Sequence, residues 1–255
     1  MHHVAIFHFL KRTLLQQMDK EQISFMSRLN PIIFITALLI PLFFSCTNND
    51  IKKPNSDELY FHYRIWGDEE SGIVTVKLQY LAGGRNGKAI ELEKPARVEL
   101  DGKTLEAGAS KFEGSYYELI SDINGFAGNH TIVFSDKDGN KYKEDFEFPV
   151  IHLVSELAAT IKRDSIILEF DGILPGDVIS VLLTDTSFYG RGMERTDTVK
   201  NGRIMITKDE LKWLKSGPVY LEVIREEMRR LEQTMLKGGI ISISYGLKRE
   251  FILED

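Results

Sequence analysis

Several groups of residues in this sequence have types and spacings that could do chemistry, and the first is a possible calcium site. Asp136, Asp138 and Asn140 in "DKDGN" carry the oxygen ligands that calcium prefers. An EF-hand loop needs glycine at its sixth position and glutamate at its twelfth, whereas Gly139 is fourth here and Glu147 falls inside a predicted strand. Asp, Gly and Asn also favour hairpin turns for backbone reasons. The sequence therefore predicts a turn at this point, and no metal site.

A glycine-rich stretch, "GGRNGKAI" (residues 83–90), has some features of a phosphate-binding loop. That pattern requires a glycine at position 82 and a serine or threonine at position 89, but both positions hold alanine. The stretch follows a predicted strand and opens no helix. It is therefore interpreted as a hairpin loop with a turn at Asn86 and Gly87.

The histidines do not form a recognisable catalytic or metal-binding pattern. His62, His130 and His152 are far apart in sequence, and no two have the spacing of ligands on one helix. A Gly-x-Ser-x-Gly nucleophile motif is also missing. The sequence predicts a protein that is not an enzyme and that holds no cofactor or metal.

One loop has the composition of a binding segment. The stretch "LTDTSFYGRGMERTDT" (residues 183–198) places Phe188, Tyr189 and Arg191 between two predicted strands. Loops on rigid sandwiches often carry binding residues, and an aromatic ring beside an arginine suits a sugar or a carboxylate. The alternative is that both aromatic side chains are buried and the arginine is solvated, because large aromatics are usually mostly buried.

The single cysteine, Cys46, lies where an apolar run ends. Residues 32–44, "IIFITALLIPLFF", carry no charge and are too few to span a bilayer, which takes about 20 residues. They match the apolar region of a secretory signal, which follows a short positive region supplied here by Met26 and Arg28. Ser45 is the small residue directly before Cys46. This order of features predicts an exported chain.

The end of this segment resembles the lipobox of bacterial lipoproteins. Ser45 and Cys46 fit the motif, whereas Phe43 and Phe44 stand where leucine and a small residue are usual. The resemblance implies cleavage before Cys46, acylation of Cys46, and a lipid anchor in the cell envelope, in the outer membrane of a Gram-negative bacterium. An uncleaved N-terminal anchor is the alternative.

Four segments follow from this organisation. Residues 1–45 are a leader, which is long enough to predict that translation starts at Met26 or, alternatively, that the positive region is extended. Residues 46–58 are polar and aperiodic, as in a flexible tether. Residues 59–150 and 151–255 are predicted to be two β-domains in tandem.

The first domain shows the alternation of half-buried strands. In "IVTVKLQYL", the apolar side chains from Val74 to Tyr80 recur every second residue. Asp101 and Gly102 separate two short strands, as in a hairpin. The succession of strands in residues 116–148 resembles the end of an Ig-like domain, without its cysteine pair and tryptophan. The resemblance implies an Ig-like β-sandwich and no particular chemistry.

The second domain is also predicted to be β-rich, with one short helix. Thr207 and Glu210 form a capping box ahead of about two helical turns, with Leu211 and Leu214 facing inward. Residues 219–225 are interpreted as a strand, and residues 226–236 as its extension or as a helical insertion. The strongest strand is the last, whose apolar face is interrupted only by Arg249 and comprises Ile241, Ile243, Tyr245, Leu247, Phe251 and Leu253.

Composition narrows the function further. Hydrophobic residues make up 43% and charged residues 27% of the 255 residues, as in globular proteins. The net charge of −6 disfavours nucleic acid as a partner. We expect a non-catalytic envelope lipoprotein that binds or scaffolds a macromolecule such as an envelope protein. The alternatives are a glycan-binding accessory lipoprotein and a hydrolase with an unrecognised site.

Overall fold

The structure is a computed structural model that describes residues 58–174, 176–187 and 192–255. These residues form strands and two one-turn helices, so the all-β prediction is confirmed. The strands are β1 (Leu59–Asp68), β2 (Ile73–Ala82), β3 (Lys88–Ile90), β4 (Arg97–Leu100), β5 (Lys103–Thr104), β6 (Ala107–Ser110), β7 (Gly114–Asp122), β8 (Gly128–Ser135), β9 (Lys141–Phe148), β10 (His152–Leu153), β11 (Thr160–Lys162), β12 (Ile166–Asp171), β13 (Val178–Asp185), β14 (Met193–Thr198), β15 (Arg203–Ile206), β16 (Gly217–Arg230) and β17 (Gly239–Glu254), and the helices are α1 (Ile123–Phe126) and α2 (Lys208–Leu211). None of the helices in the described residues is long and apolar enough to cross a membrane.

A long sheet of ten strands runs through the fold. Its main path is β14-β13-β16-β17-β1-β2-β7-β6, with β3 added beside β2 and β11 beside β17. The pairs β1–β17 and β11–β17 are parallel, and the other pairs in this sheet are antiparallel. A three-stranded sheet, β10-β12-β15, and a four-stranded sheet, β5-β4-β8-β9, complete the architecture.

The three-stranded sheet covers one face of the long sheet. Val181 on β13 is paired with Arg195 on β14, so both side chains lie on the same face. Val181 is fully buried, and the Arg195 guanidinium donates a hydrogen bond to the carbonyl of Met205 on β15. The buried face of the long sheet therefore looks toward β15.

The four-stranded sheet covers the same face. Val223 on β16 is paired with Val181, and Arg229 shares the face of Val223 because side chains alternate along a strand. Arg229 pairs with the buried carboxylate of Glu144 on β9. Both smaller sheets thus pack on one face of the long sheet, whose opposite face we call the outer face.

Aromatic rings fill the core beneath the four-stranded sheet. Phe61 lies 5.2 Å, centroid to centroid, from both Tyr80 and Phe134, in edge-to-face arrangements. The hydroxyl groups of Tyr63 and Tyr80 are 3.2 Å apart, so each buried phenol has a hydrogen-bond partner. These rings come from alternate residues of β1, β2 and β8, which explains why they meet on one face.

A chain of five charged side chains crosses the buried face along β16. Asp177 accepts two hydrogen bonds from Arg225, at 2.8 and 3.1 Å. Glu227 lies 3.8 Å from Arg225 and 3.1 Å from Arg229, which in turn pairs with Glu144. Charges of opposite sign alternate along this chain. It connects the loop before β13 with β9, and hence the two halves of the sequence.

The hairpins predicted from turn residues are present. Asp101 and Gly102 link β4 to β5 with positive φ angles of 50° and 75°, which glycine adopts without strain. Between β8 and β9, the Asp136 carboxylate accepts hydrogen bonds from the backbone N–H groups of Asp138 and Asn140. Residues 83–87 connect β2 to β3, as expected of a hairpin loop.

The short helix of the second half is confirmed but is shorter than predicted. Thr207 and Glu210 form the capping box, and α2 ends after one turn. Leu211 and Leu214 are both buried, as predicted.

The structure shows that residues 226–236, interpreted from the sequence as a strand extension or a helical insertion, are not helical. Residues 226–230 continue β16 as a strand, and residues 231–238 form the connection to β17. The helical spacing in this segment is partly explained by the connection, where Leu231 and Met235 are buried. The six apolar residues predicted to share the inner face of β17 are all buried.

Hydrogen bonds between strands join the segments on either side of the predicted boundary between residues 150 and 151. In the long sheet β17 lies between β1 and β16, so strands of both halves are hydrogen-bonded to each other. All described residues fall within one compact unit. That residues 59–150 and 151–255 each fold alone stays a prediction.

Candidate functional site

The outer face of the long sheet carries a cluster of aromatic and charged side chains at its β6–β7 end. Side chains alternate along β1, and Tyr63 and Ile65 are buried. Arg64 and Trp66 therefore point to the outer face. Register places Lys77 of β2 directly beside Arg64. We call this cluster the Trp66 surface, and it consists of Arg64, Trp66, Lys77, Gln79, Glu113, Tyr116 and Glu118, together with Phe112, which precedes Glu113 in the β6–β7 turn.

Glu113 holds the charged groups of the Trp66 surface together. Its carboxylate accepts hydrogen bonds from Arg64 Nη2 at 3.0 Å and from Lys77 Nζ at 2.9 Å. Its carbonyl accepts a hydrogen bond from Gln79 Nε2 at 2.9 Å. Lys77 also pairs with Glu118 at 3.2 Å. Two cations and two anions are therefore paired within one cluster, and their formal charges cancel.

Two aromatic rings flank the Lys77 ammonium group. Nζ of Lys77 lies 4.5 Å from the centroid of the Tyr116 ring and 5.8 Å from that of Trp66. The Arg64 guanidinium lies 5.9 Å from the Trp66 ring on the same strand. Such cation–π contacts contribute about 0.5–1 kcal/mol each at exposed sites. They fix the rings in place while leaving 38% of Trp66 exposed.

Phe112 is the most exposed large apolar side chain of the Trp66 surface, with 95% of its area open to solvent. It lies in the tight turn between β6 and β7, next to Glu113. The turn is held by the Glu113 N–H group, which donates a hydrogen bond to Ser110 Oγ at 3.0 Å. A turn fixed at both Glu113 and Ser110 thus presents an aromatic ring that contributes little to the core.

The electrostatics of the cluster keep Glu113 and Lys77 ionised. Hydrogen bonds from Lys77 and then Arg64 lower the pKa of Glu113 below its usual value, against a smaller opposing effect of burial. Burial alone would lower the pKa of Lys77, but bonds to Glu113 and Glu118 outweigh it and raise that pKa. Beside the cluster, burial and then the charges of Arg64 and Arg85 lower the pKa of His62, which favours its neutral form.

The backbone of β6 makes room for Tyr116. Gly108 on β6 is paired with Tyr116 on β7, and a Cβ atom built on Gly108 would lie 2.8 Å from Cε2 of the tyrosine ring. Real Cβ atoms do not approach a ring this closely, so the ring can lie across the strand only because residue 108 is glycine.

The residues that the sequence singled out for function are not described by the structure. Cys46 lies outside the described residues, and so do Phe188, Tyr189 and Arg191. The strands on either side of that loop, β13 and β14, are at the edge of the long sheet opposite to β6. The roles of Cys46, Phe188, Tyr189 and Arg191 stay predictions.

The other candidates from the sequence have structural roles. The Asp136 carboxylate is engaged by its own hairpin, including a side-chain hydrogen bond from Asn140 at 2.8 Å. The ring of His130 stacks on Phe126 at 3.8 Å, and its Nδ1 atom lies 2.7 Å from the Asp101 carboxylate. In the part of the chain that the structure describes, no group of three or more His, Cys, Asp or Glu residues could hold a metal ion.

Sequence reasoning missed the Trp66 surface, although one signal was available. In "YFHYRIWGD", the buried positions of β1 alternate with His62, Arg64 and Trp66. A tryptophan that shares one face of a strand with two polar residues is predicted to be exposed to solvent, which is uncommon for tryptophan.

Comparison with known proteins gives no family. No protein-family description matches the chain, and no curated protein matches it. Among solved structures it is similar to a 1.5-MDa bacterial ice-binding adhesin studied for host cell surface retention, with 12% identity, a TM-score of 0.23 and coverage of 78% of this chain and 66% of that one. It spans about half, 49%, of a second, Ca²⁺-stabilised adhesin that helps an Antarctic bacterium bind ice.

Two further similarities are to proteins of other kinds. The two Ig domains of DIP-gamma match with 7% identity over 77% of this chain and 95% of that one, with a TM-score of 0.23. A Bacteroides ovatus protein, SGBP-B of a mixed-linkage glucan utilization locus, solved with a heptasaccharide, matches with 13% identity over 68% of this chain and 53% of that one, at a TM-score of 0.20. At such TM-scores these similarities carry no argument about this chain, and its fold is described from its own strands.

Proposed function

We propose that this chain is a non-catalytic binding protein of the cell envelope. A lipid on Cys46 anchors it in the outer membrane, and the Trp66 surface binds a macromolecular ligand there. The lipobox-like end of the leader supports the anchor, and the outer face of the long sheet supports the binding role.

The observation that carries the binding role is the presentation of Phe112. A phenylalanine that is 95% exposed adds almost nothing to the core, yet its turn is fixed by hydrogen bonds to Ser110 and from Arg64 and Lys77 to Glu113. Exposed aromatic groups on a rigid, polar surface are typical of interaction sites. Trp66 and Tyr116, which flank the Lys77 ammonium group that pairs with Glu113, add further aromatic area.

The charged groups of the surface fit binding better than catalysis. A general acid or base works best when its pKa lies near the working pH. The pKa of Glu113 is instead lowered by Lys77 and Arg64, so this carboxylate stays ionised and committed to its ion pairs. Such groups orient a ligand but exchange protons poorly at neutral pH.

The proposal is tested by binding to cell envelopes. Residues 47–255, which contain the whole compact unit, are incubated with envelopes isolated from the bacterium that produces the protein, and bound protein is measured by co-sedimentation. The test variant carries Trp66→Ala and Phe112→Ala. The control variant carries Trp213→Ala and Leu236→Ala, which remove two apolar side chains that are 68% and 89% exposed elsewhere on the fold.

We expect saturable binding of the parent and the control, and binding at least about tenfold weaker for the test variant, or about 1.4 kcal/mol. No binding of the parent would overturn the proposal. Equal binding of the two folded variants would remove the Trp66 surface from it.

A further inference from the structure

We infer that the Trp66 surface binds an uncharged carbohydrate chain. This inference rests on the proposed function and names the class of its ligand. It follows from the charge balance of the surface, from the space beside the Trp66 ring, and from the hydration of the ion pairs.

The charge balance argues for a ligand without net charge. Arg64 and Lys77, the two cations beside the Trp66 ring, are already neutralised by Glu113 and Glu118 at 2.9–3.2 Å. The neutral form of His62 adds no charge. An anionic polymer would also be repelled at long range by the net charge of the chain, −6.

Space for a flat ligand is available beside the tryptophan ring. In register, Trp66 is flanked by Thr75 on β2 and by Ser244 on β17, both of which have small side chains. The apolar C–H face of a pyranose ring can therefore pack against the exposed part of the indole. The hydroxyl groups of Thr75 and Ser244 are available to bind the hydroxyl groups of the sugar. The aromatic ring supplies contact area at a low entropic cost, because its rotamer is already held by Arg64 and Lys77.

The hydration of the ion pairs favours a sugar over an apolar protein surface. The side chains of Arg64 and Glu113 keep 33% and 39% of their area exposed, so water can reach their exposed polar atoms. Covering them with an apolar partner would remove that water without replacement, which is costly for charged groups. Sugar hydroxyl groups donate and accept hydrogen bonds and can take the place of the water.

The aromatic groups are placed to contact more than one sugar unit. Trp66 and Tyr116 lie on either side of a single atom, Lys77 Nζ, and Phe112 is adjacent to Glu113, which binds the same atom. The surface is open on the outer face of a sheet. An extended chain can therefore run across it, and affinity should rise with the length of the oligosaccharide.

The first test uses purified polysaccharides in affinity electrophoresis with residues 47–255. The neutral panel consists of mixed-linkage β-glucan, xyloglucan, galactomannan, starch and dextran, and the anionic panel of polygalacturonate, hyaluronate and heparin. We expect at least one neutral polysaccharide to retard the protein, at low and at high salt alike because no charge is involved. Trp66→Ala and Phe112→Ala should each weaken this binding at least about tenfold, whereas Trp213→Ala should not.

The second test separates this inference from the proposed function. Envelopes are treated with periodate, which oxidises the vicinal diols of sugars, or with protease, before the co-sedimentation described above. Loss of binding after periodate and its retention after protease are the expected results. The opposite pattern, or binding confined to the anionic panel, would overturn the carbohydrate inference while the envelope-binding function stands.

Discussion

Gly108 and Tyr116 face each other across strands β6 and β7, and the tyrosine ring occupies the space that a side chain at position 108 would need. Tyr116 contacts the Lys77 ammonium group, which pairs with Glu113. A glycine that touches no ligand thus positions one wall of the Trp66 surface.

We predict that Gly108→Ala weakens envelope binding without unfolding the protein. The added methyl group displaces the far end of the Tyr116 ring, which can move because it is partly exposed, so we expect little change in the free energy of unfolding. Affinity should fall by about tenfold. Gly125→Ala is the matched control, because a Cβ atom there would meet no other atom within 4 Å. Unchanged affinity of a folded Gly108→Ala protein would contradict the positioning role.

The ion-pair chain along β16 gives a second prediction. Glu144→Gln removes the buried charge that faces Arg229, and Glu144 is almost fully buried while Arg229 is partly solvated. We expect the free energy of unfolding to fall by about 1–3 kcal/mol, measured by urea denaturation. Asp145→Asn is the control, since Asp145 forms a solvent-exposed pair with Lys143, and such pairs contribute little to stability. Equal effects of the two substitutions would show that the chain of charges adds little.

Asp177 predicts how stability depends on pH. Burial would raise the pKa of Asp177, but hydrogen bonds from Arg225 and from the Leu174 N–H group outweigh it, so the pKa is lower than the usual 3.8. A carboxyl whose pKa is lower in the folded state stabilises the fold above its unfolded pKa, and that contribution disappears as the pH falls through the folded pKa. Below about pH 4, Asp177→Asn should therefore lose less stability than the parent. Parallel pH profiles in urea denaturation would refute this.

The division of the chain can be tested with a fragment. Residues 58–150 retain β1 but lose β17, so eight residues of β1, from Phe61 to Asp68, lose their parallel partners. An exposed strand edge of this length promotes aggregation. We expect the fragment to show no cooperative unfolding transition by circular dichroism, whereas residues 47–255 should show one. A soluble fragment that unfolds cooperatively would support an independent first domain.

The anchor gives the last prediction. Cys46→Ala removes the thiol that a lipid would acylate, so the protein should move from the membrane fraction to a soluble or uncleaved form. Fractionation followed by immunoblotting measures this. Membrane attachment of a cleaved Cys46→Ala protein would contradict the lipid anchor, and Ser45→Ala is the control, because alanine is also small.

Local patterns predicted the elements of this fold but not their pairing. The alternation in β2 and β17 and the turn at Asp101 and Gly102 depend on neighbouring residues, and the structure confirms them. The parallel pairing of β1 with β17 joins the two ends of the described chain, and no periodicity within either strand specifies it. For that reason the sequence suggested two separate domains.

The Trp66 surface was missed for the same reason. Glu113 is 49 residues from Arg64 and 36 residues from Lys77, and it reaches them only because the β6–β7 hairpin folds back beside β2. Glu113 by itself looks like any solvated carboxylate of a turn. Chemistry that is assembled from distant segments requires the sheet order to be known first.

The position of β17 beside β1 also determines the order in which the strands of the long sheet can pair during synthesis. During synthesis β1 emerges first and can pair with β2, but its other edge stays open until β17, residues Gly239–Glu254, has been made. Contacts between the two ends of a chain form late and slow the overall reaction. Until synthesis of the described residues is almost complete, the free edge of β1 can therefore pair with a strand of another chain.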